Sequence, residues 1–262
     1  MPQHQAGLPG LIEDFTTADL GLHRQEHLAE AIVSEDRPAL LLWRAPRALI
    51  VGRLDTRLPR FAQATETLRQ EGWPVLIRRS GGAACPVSPG TLQVALARTV
   101  RPGMTTEALY MELVDRLNDG LAAFGLRATT GIQPEAFCPG RFDMSLGGRK
   151  VGGLSQHWRQ RGGRFDATTA VTLVVDEDRN ELARINNLFY RTAGGSQRCR
   201  AEAMGSVAAA LPQHGLTNET LMHDLGAHIA RSVATRRYET ATEPASQTDD
   251  PATSTLQSEI GI

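Results

Sequence analysis

A chain of 262 residues with 41% hydrophobic and 22% charged residues can bury one full core, and its make-up is ordinary for a water-soluble globular domain. A formal charge of -1 excludes a broad electrostatic footprint for nucleic acid or an anionic membrane. No apolar run approaches the roughly 20 residues that cross a bilayer, and the opening MPQHQAGLPG has neither segment of a secretory signal, so a cytoplasmic protein is expected.

In chain order, residues 1–15 are polar and punctuated by Pro and Gly and are expected to be flexible. Residues 18–34 have a helical pattern. PALLLWRAPRALIVGR divides at Pro46 into two apolar runs, which suggests paired strands. A helix over 61–71 stops at Gly72. The strand WPVLIRR and the long irregular loop SGGAACPVSPG follow, and then the strand TLQVALARTV. Leu109, Leu113, Leu117, Leu121 and Phe124 make 105–124 the clearest amphipathic helix, closed by Gly125.

A meander comes next, RFDMSL, Gly147-Gly148, RKVGGLSQHWR, Gly162-Gly163 and FDATTAVTLVV, in which each Gly-Gly pair marks a two-residue hairpin turn. Helices over 179–191 and 217–236 complete a folded part spanning 16–238, and the Thr/Ser/Asp/Pro-rich end 239–262 is expected to be disordered. Successive hairpins with helices between them define an α+β fold with a mainly antiparallel mixed sheet packed by helices.

The three cysteines, Cys85, Cys138 and Cys199, are odd in number and far apart, so they make neither a disulfide framework nor a CxxC knuckle. The seven histidines lack paired ligand spacing, and no structural metal is expected. Lys150 is the only lysine among 28 basic residues. With Gly147-Gly148 as the loop, Leu146 faces Arg149, Ser145 faces Lys150, Met144 faces Val151 and Asp143 faces Gly152. Asp143, Ser145 and Lys150 then share a polar face. Gly152 and Gly153 suggest the close approach of a ligand or another backbone. A compact ammonium fits a single carbonyl or carboxylate oxygen in a narrow site where the broad guanidinium fork does not. The alternative is codon drift toward arginine with one survivor.

Cys138, in the Pro-Gly turn FCPGR just before this hairpin, is either an accessible nucleophile or a buried inert thiol. In RRSGGAACPVSPG, Arg78, Arg79 and the Gly81-Gly82 backbone either hold an anionic or thioester-linked substrate or form a plain surface loop. The pattern GxxxxGK[ST] is absent, so this is not a P-loop. Cys85 and Cys199 fit packing roles better than chemistry.

Together, LWRAPRALIVGR, RRSGGAACPVSPGTLQVALA and FCPGRFDMSLGGRKVGGLSQ resemble the lipoate-protein ligase and octanoyltransferase family, whose catalytic domain is related to biotin protein ligases. The resemblance covers about residues 20–235 and implies that catalytic-domain fold. It puts the acyl-carbonyl-binding lysine on Lys150 and substrate binding on Arg78, Arg79, Ser80, Gly81, Gly82 and Ala83, together with Gly152, Gly153, Ser155 and Gln156. Ala83 stands where the family usually has a third glycine.

The order CPG, hairpin, lysine is similar to that of members that transfer octanoyl groups between proteins through a cysteine, here Cys138. The implied partners are lipoyl-domain proteins, namely the glycine cleavage H protein and E2 subunits, and the implied cargo is an octanoyl or lipoyl group with no cofactor. The ATP- and Mg-using lipoate ligases of the family often carry a histidine and aspartate after the glycine loop, where this chain has PVSPG. Such a ligase and a non-catalytic module that binds the acyl carrier remain alternatives. Biotin transfer is disfavoured because the GRGRxGR loop is absent.

Overall fold

In the computed structural model the two glycine pairs adopt positive φ throughout, 55° and 75° at Gly147-Gly148 and 56° and 80° at Gly162-Gly163. This is the two-residue geometry whose twist matches that of flanking antiparallel strands. The structure describes residues 11–211 and 215–235, so the expected tail 239–262 and residues 1–10 lie outside it. The glycine turns connect β8 (Met144–Leu146), β9 (Arg149–Arg161) and β10 (Arg164–Val174). With β1 (Glu13–Asp14), β2 (Ala39–Arg44), β6 (Thr91–Thr99) and β7 (Thr129–Thr130) they form a seven-stranded sheet in the order β1-β2-β6-β10-β9-β8-β7. Only the β1–β2 pair in it is parallel. A three-stranded sheet, β4-β3-β5, comprises β3 (Ala48–Val51), β4 (Val75–Ile77) and β5 (Cys85–Val87).

Alternation along the central strands sorts side chains to two faces. Leu92, Val94 and Leu96 of β6 join Met144, Val151 and Leu173 in a core with α3 (Thr106–Ala122) and a C-terminal helix, Asn218–Thr235. Leu113, Leu117 and Leu121 supply the stripe of α3, Thr105 caps its first turn by accepting from Ala108 N at 3.1 Å, and Gly125 ends it at φ 71°. The opposite face carries Leu41, Trp43, Ala95, Ala97 and Ala170 and packs on α1 (Ala18–Glu26) and on Ala48, Ile50 and Val87 of the small sheet. Beyond that sheet, α2 (Phe61–Gln70) and α4 (Arg179–Ala193) pack against Leu49 and Val51 through Ala64, Leu68, Ile185 and Phe189.

Four expectations are corrected. Residues 11–15 are part of the fold, because Ile12 is buried and Glu13–Asp14 pair with Trp43–Arg44. The helix expected over 18–34 ends at Glu26, and a 3-10 turn over Leu28–Ala31 turns Leu28 and Ala29 into the core. The two apolar runs around Pro46 do not pair with each other. Both faces of each are buried, and each finds its own neighbours, β2 with β6 and β3 with β4 and β5. The loop after Ser80 contains β5, which pairs with β3. Among the described residues no helix is long and apolar enough to cross a membrane.

Candidate active site

The β8–β9 hairpin departs from ideal register in a way that builds the site. Leu146 faces Arg149 and Ser145 faces Lys150 as expected, but Met144 pairs with Gly152, not Val151, so Val151 is an extra residue on β9. A bulge of this kind puts two successive side chains on one face. Val151 accordingly packs in the α3 core, and a Cβ on Gly152 would touch Val171 on that same side. Lys150 and Gly153, three residues apart, both emerge on the other face, where a Cβ on Gly153 would lie 3.2 Å from Lys150 Nζ and 3.4 Å from the Phe137 ring.

Lys150 is completely buried, and its ammonium has three partners: Phe137 O at 2.7 Å, Cys138 O at 2.7 Å and Asp143 Oδ2 at 2.8 Å. The Phe137 ring centroid lies 4.8 Å from Nζ. An ammonium has three donors arranged as a tripod, so all three are taken by the protein itself. This corrects the expectation that the charge faces a substrate oxygen. The need for lysine lies instead in three oxygens converging on one compact nitrogen in a space closed by Gly153, which a planar guanidinium cannot enter. Burial raises the Asp143 carboxyl above its ordinary value, an effect opposed by the Lys150 charge.

Two of the gripped oxygens belong to the peptides on either side of Cys138. That residue has φ 42° and is the only described non-glycine residue with positive φ. Left-handed backbone costs a residue with a Cβ roughly 1–3 kcal/mol and persists where its surroundings over-determine it. Here the over-determination is visible. Lys150 holds the two carbonyls, and Asp143 closes the following turn by accepting from Gly140 N at 2.9 Å and donating its own N–H to Gly140 O at 3.1 Å.

The Cys138 sulfur is half-buried and lies 3.7 Å from Nη2 of Arg78. Arg78 also donates to Ile50 O, Gly81 O and Ala83 O at 2.9, 3.1 and 2.6 Å, so it staples the glycine loop while presenting charge to the sulfur. Gly82, at φ 102°, lies so close that a Cβ would stand 2.9 Å from Sγ and 2.7 Å from Nη2 of Arg78. The other two cysteines differ from Cys138: both are buried, and burial pushes the Cys85 and Cys199 thiols up to about 11.

Beside the sulfur, a narrow cavity opens between the large sheet, α1 and the small sheet. Gly153, Thr172, Gln93 and Trp43 face one another across β9, β10, β6 and β2 and form its floor. In the next row the small residues Ser155 and Ala170 also line it, while Ala95 beside them is covered by the core. Leu22 and Ile50 line it from the opposite side. A second hollow shares Leu22, Gln25, Arg78, Ser155 and Ala170 with the first and continues to Glu26, Arg79, Ser80 and His157.

The fold thus gathers Cys138, Lys150, Arg78, Gly82, Gly153 and Ser155, with Ser80 joined to Ser155 at 3.2 Å. Gly81 and Ala83 take part through their carbonyls, and Arg79 stands at the outer hollow, paired with Glu26 at 3.1 Å. Two expected binding residues are not brought to the cavity. Gly152 faces the α3 core because of the bulge. Gln156 points to that side too, donating to Thr169 Oγ1 at 2.8 Å and accepting from Trp158 Nε1 at 2.6 Å. Missed were Gln93, Thr172 and Trp43. A glutamine inside the otherwise apolar run TLQVALA is the signal that marks the first of them.

A mainly antiparallel sheet backed by helices, with a cavity over its other face, is the catalytic-domain fold shared by biotin and lipoyl protein ligases. The chain belongs to the lipoyl protein ligase A/B catalytic domain family, which it matches over residues 18–230. It is similar to the octanoyl-[GcvH]:protein N-octanoyltransferase of Geobacillus kaustophilus, 36% identical over 153 residues that make up 56% of this chain and 51% of that protein. The enzyme of the same name from Kyrpidia tusciae is 31% identical over 209 residues, 76% of this chain and 69% of that one. The chain spans about half the length of the Geobacillus relative. Among solved structures, lipoate-protein ligase A bound with ATP superimposes with a TM-score of 0.64 over 85% of this chain and 84% of that one, at 16% identity, a likeness of fold.

Proposed function

We propose that the chain is an acyltransferase that moves an octanoyl or lipoyl group onto the acceptor lysine of a lipoyl domain through a thioester on Cys138. The observation that carries this reading is a sulfur held at the wall of a cavity by a strained backbone that a buried ammonium clamps. In the first half-reaction the sulfur attacks the carbonyl carbon of the donor's acyl-lysine amide. The C–S bond forms, the C–N bond breaks, and the thiol proton leaves on the donor amine. In the second, the neutral amine of the acceptor lysine attacks the thioester carbon. The amide forms, the C–S bond breaks, and the sulfur recovers a proton from the amine.

The Arg78 guanidinium favours negative charge on the sulfur in both halves. Lys150 acts through the backbone of Cys138 and is a positioning residue. Each methylene of the acyl chain that the cavity covers contributes about 0.8 kcal/mol. The names of the Geobacillus and Kyrpidia relatives support this choice of reaction and point to the glycine cleavage H protein as one partner, and E2 lipoyl domains are proposed beside it as acceptors. Cytoplasmic partners of this kind fit three unpaired cysteines.

The arrangement of the glycine loop fits a triphosphate poorly. The Arg78 donors are directed to carbonyls of its own loop and strand, and Arg79 is paired with Glu26. The proposed transfer therefore uses no ATP. The test is intact-mass analysis after mixing the chain with an octanoylated carrier and no nucleotide. Wild type should gain one octanoyl mass that Cys138→Ala does not. Octanoate-dependent pyrophosphate release that survives Cys138→Ala would establish the ligase reading instead.

A further inference from the structure

We infer that Gln93 is a specificity-determining residue that makes the cavity prefer an eight-carbon acyl chain carrying sulfur in its far half, the lipoyl group, over plain octanoyl. This rests on the proposed acyl transfer at Cys138 and adds which of its two cargoes the cavity is built for.

Gln93 is buried at 3% exposure in the cavity floor. Its carbonyl oxygen accepts from Thr172 Oγ1 at 2.6 Å, and its amide nitrogen donates one hydrogen to Thr91 Oγ1 at 3.0 Å. Thr91 is itself bound to Ser88, whose N–H it accepts at 3.0 Å and whose carbonyl it reaches at 2.9 Å, so the glutamine is fixed in place. An amide nitrogen has two hydrogens. The second meets no acceptor among the described residues.

A buried donor without an acceptor is costly, and a site that holds one selects ligands able to accept from it. Its position along the acyl path is set by the sheet. Gly153, next to Lys150 and Phe137, marks the reacting end, and Gln93 lies two strands away, roughly 10 Å at sheet spacing. At about 1.2 Å of advance per bond, an extended eight-carbon chain reaches about 8 Å from its carbonyl carbon, so its far end is the part that approaches the Gln93 side chain. There C6 and C8 carry the sulfurs of a lipoyl group and only hydrogens in octanoyl.

Two further features suit a five-membered disulfide ring at that point. Ala170, in the adjacent row, is small and lies on the cavity wall. The next floor residue beyond Gln93 is the Trp43 ring, and sulfur packs favourably on aromatic rings. Sulfur is a weak acceptor, so the preference is modest, about tenfold.

The test uses the full-length chain and the free acids, so it does not depend on chemistry at Cys138. Calorimetric titration should show lipoate binding about tenfold tighter than octanoate. Gln93→Met, which keeps length and removes the donor, should bring the ratio close to one, mainly by tightening octanoate. Equal affinities in the wild type, tighter octanoate, or a ratio that Gln93→Met leaves unchanged would each overturn the assignment. The wild-type ratio alone decides the matter if the variant fails to fold. Failure of the parent reading is separate and appears as the absence of any acyl adduct at Cys138.

Discussion

Lys150 Nζ lies 2.8 Å from Asp143 Oδ2, and neither side chain exposes more than 1% of its surface. Removing one member of such a pair leaves an uncompensated buried charge at a cost of about 3–5 kcal/mol. Lys150→Ala and Asp143→Ala should each lower the free energy of unfolding in urea by that amount. The double variant should lose less than the sum, because each single change strands the other charge. Additive losses would show that the two groups do not support each other.

Lys150→Arg keeps the charge and loses the tripod. The guanidinium cannot reach Phe137 O, Cys138 O and Asp143 together in the space that Gly153 leaves. Misplacing a reacting group by about 1 Å costs roughly a hundredfold in rate. The acylation rate of Cys138 should fall by that order in single-turnover mass measurements. Wild-type rates in a folded Lys150→Arg protein would remove the lysine from the positioning role.

The three thiols should separate under alkylation. At pH 8 a thiol whose pKa is about 11 is ionised to about one part in a thousand, and Cys85 and Cys199 are also buried. Brief iodoacetamide treatment of the native chain followed by peptide mapping should therefore label Cys138 and spare the other two until the protein is unfolded. Prior loading with an octanoyl donor should block the label at Cys138.

Much of this was legible because it rests on local rules. The Gly-Gly turns, the leucine stripe of α3 and the polar face shared by Asp143, Ser145 and Lys150 follow from turn chemistry and side-chain period. What was not legible depended on partners distant in the chain. A bulge at Val151 cannot be seen in alternation alone, and it reversed the placement of Gly152 while bringing Gly153 to the lysine. The strands flanking Pro46 were correct as strands and wrong as a pair, since a strand apolar on both faces does not say which neighbour it takes. The ammonium was expected to serve a ligand because a lysine beside glycines suggests an open site. Two backbone carbonyls of a turn, thirteen and twelve residues earlier, supplied what it binds, and no sequence pattern records them.

The glycine loop rests on a second buried polar unit, which should give the protein a pH signature. Asp55 is buried. It accepts from Gly52 N at 3.2 Å and from Tyr190 Oη at 3.1 Å, while the same hydroxyl accepts from Ala84 N at 2.8 Å. Gly52 in turn lies against the loop, where a Cβ would come within 2.1 Å of Gly82 O. Burial raises the Asp55 carboxyl above its ordinary value, with its hydrogen bonds opposing the rise. A folded-state pKa above the unfolded one means that, as pH climbs from about 4, the native state keeps its proton where the unfolded state has lost it, so stability falls over that window. Asp55→Asn cannot ionise and keeps one acceptor oxygen, enough for Gly52 N–H, while its NH2 group faces the Tyr190 hydroxyl. Relative to wild type it should be destabilised at pH 3.5 by the lost contact and should recover part of that difference as the pH rises toward 7. The check is urea unfolding of the two proteins at matched pH values. A difference that stays flat, or that grows in favour of wild type as pH rises, would show that the carboxylate is better stabilised in the folded loop than its burial implies.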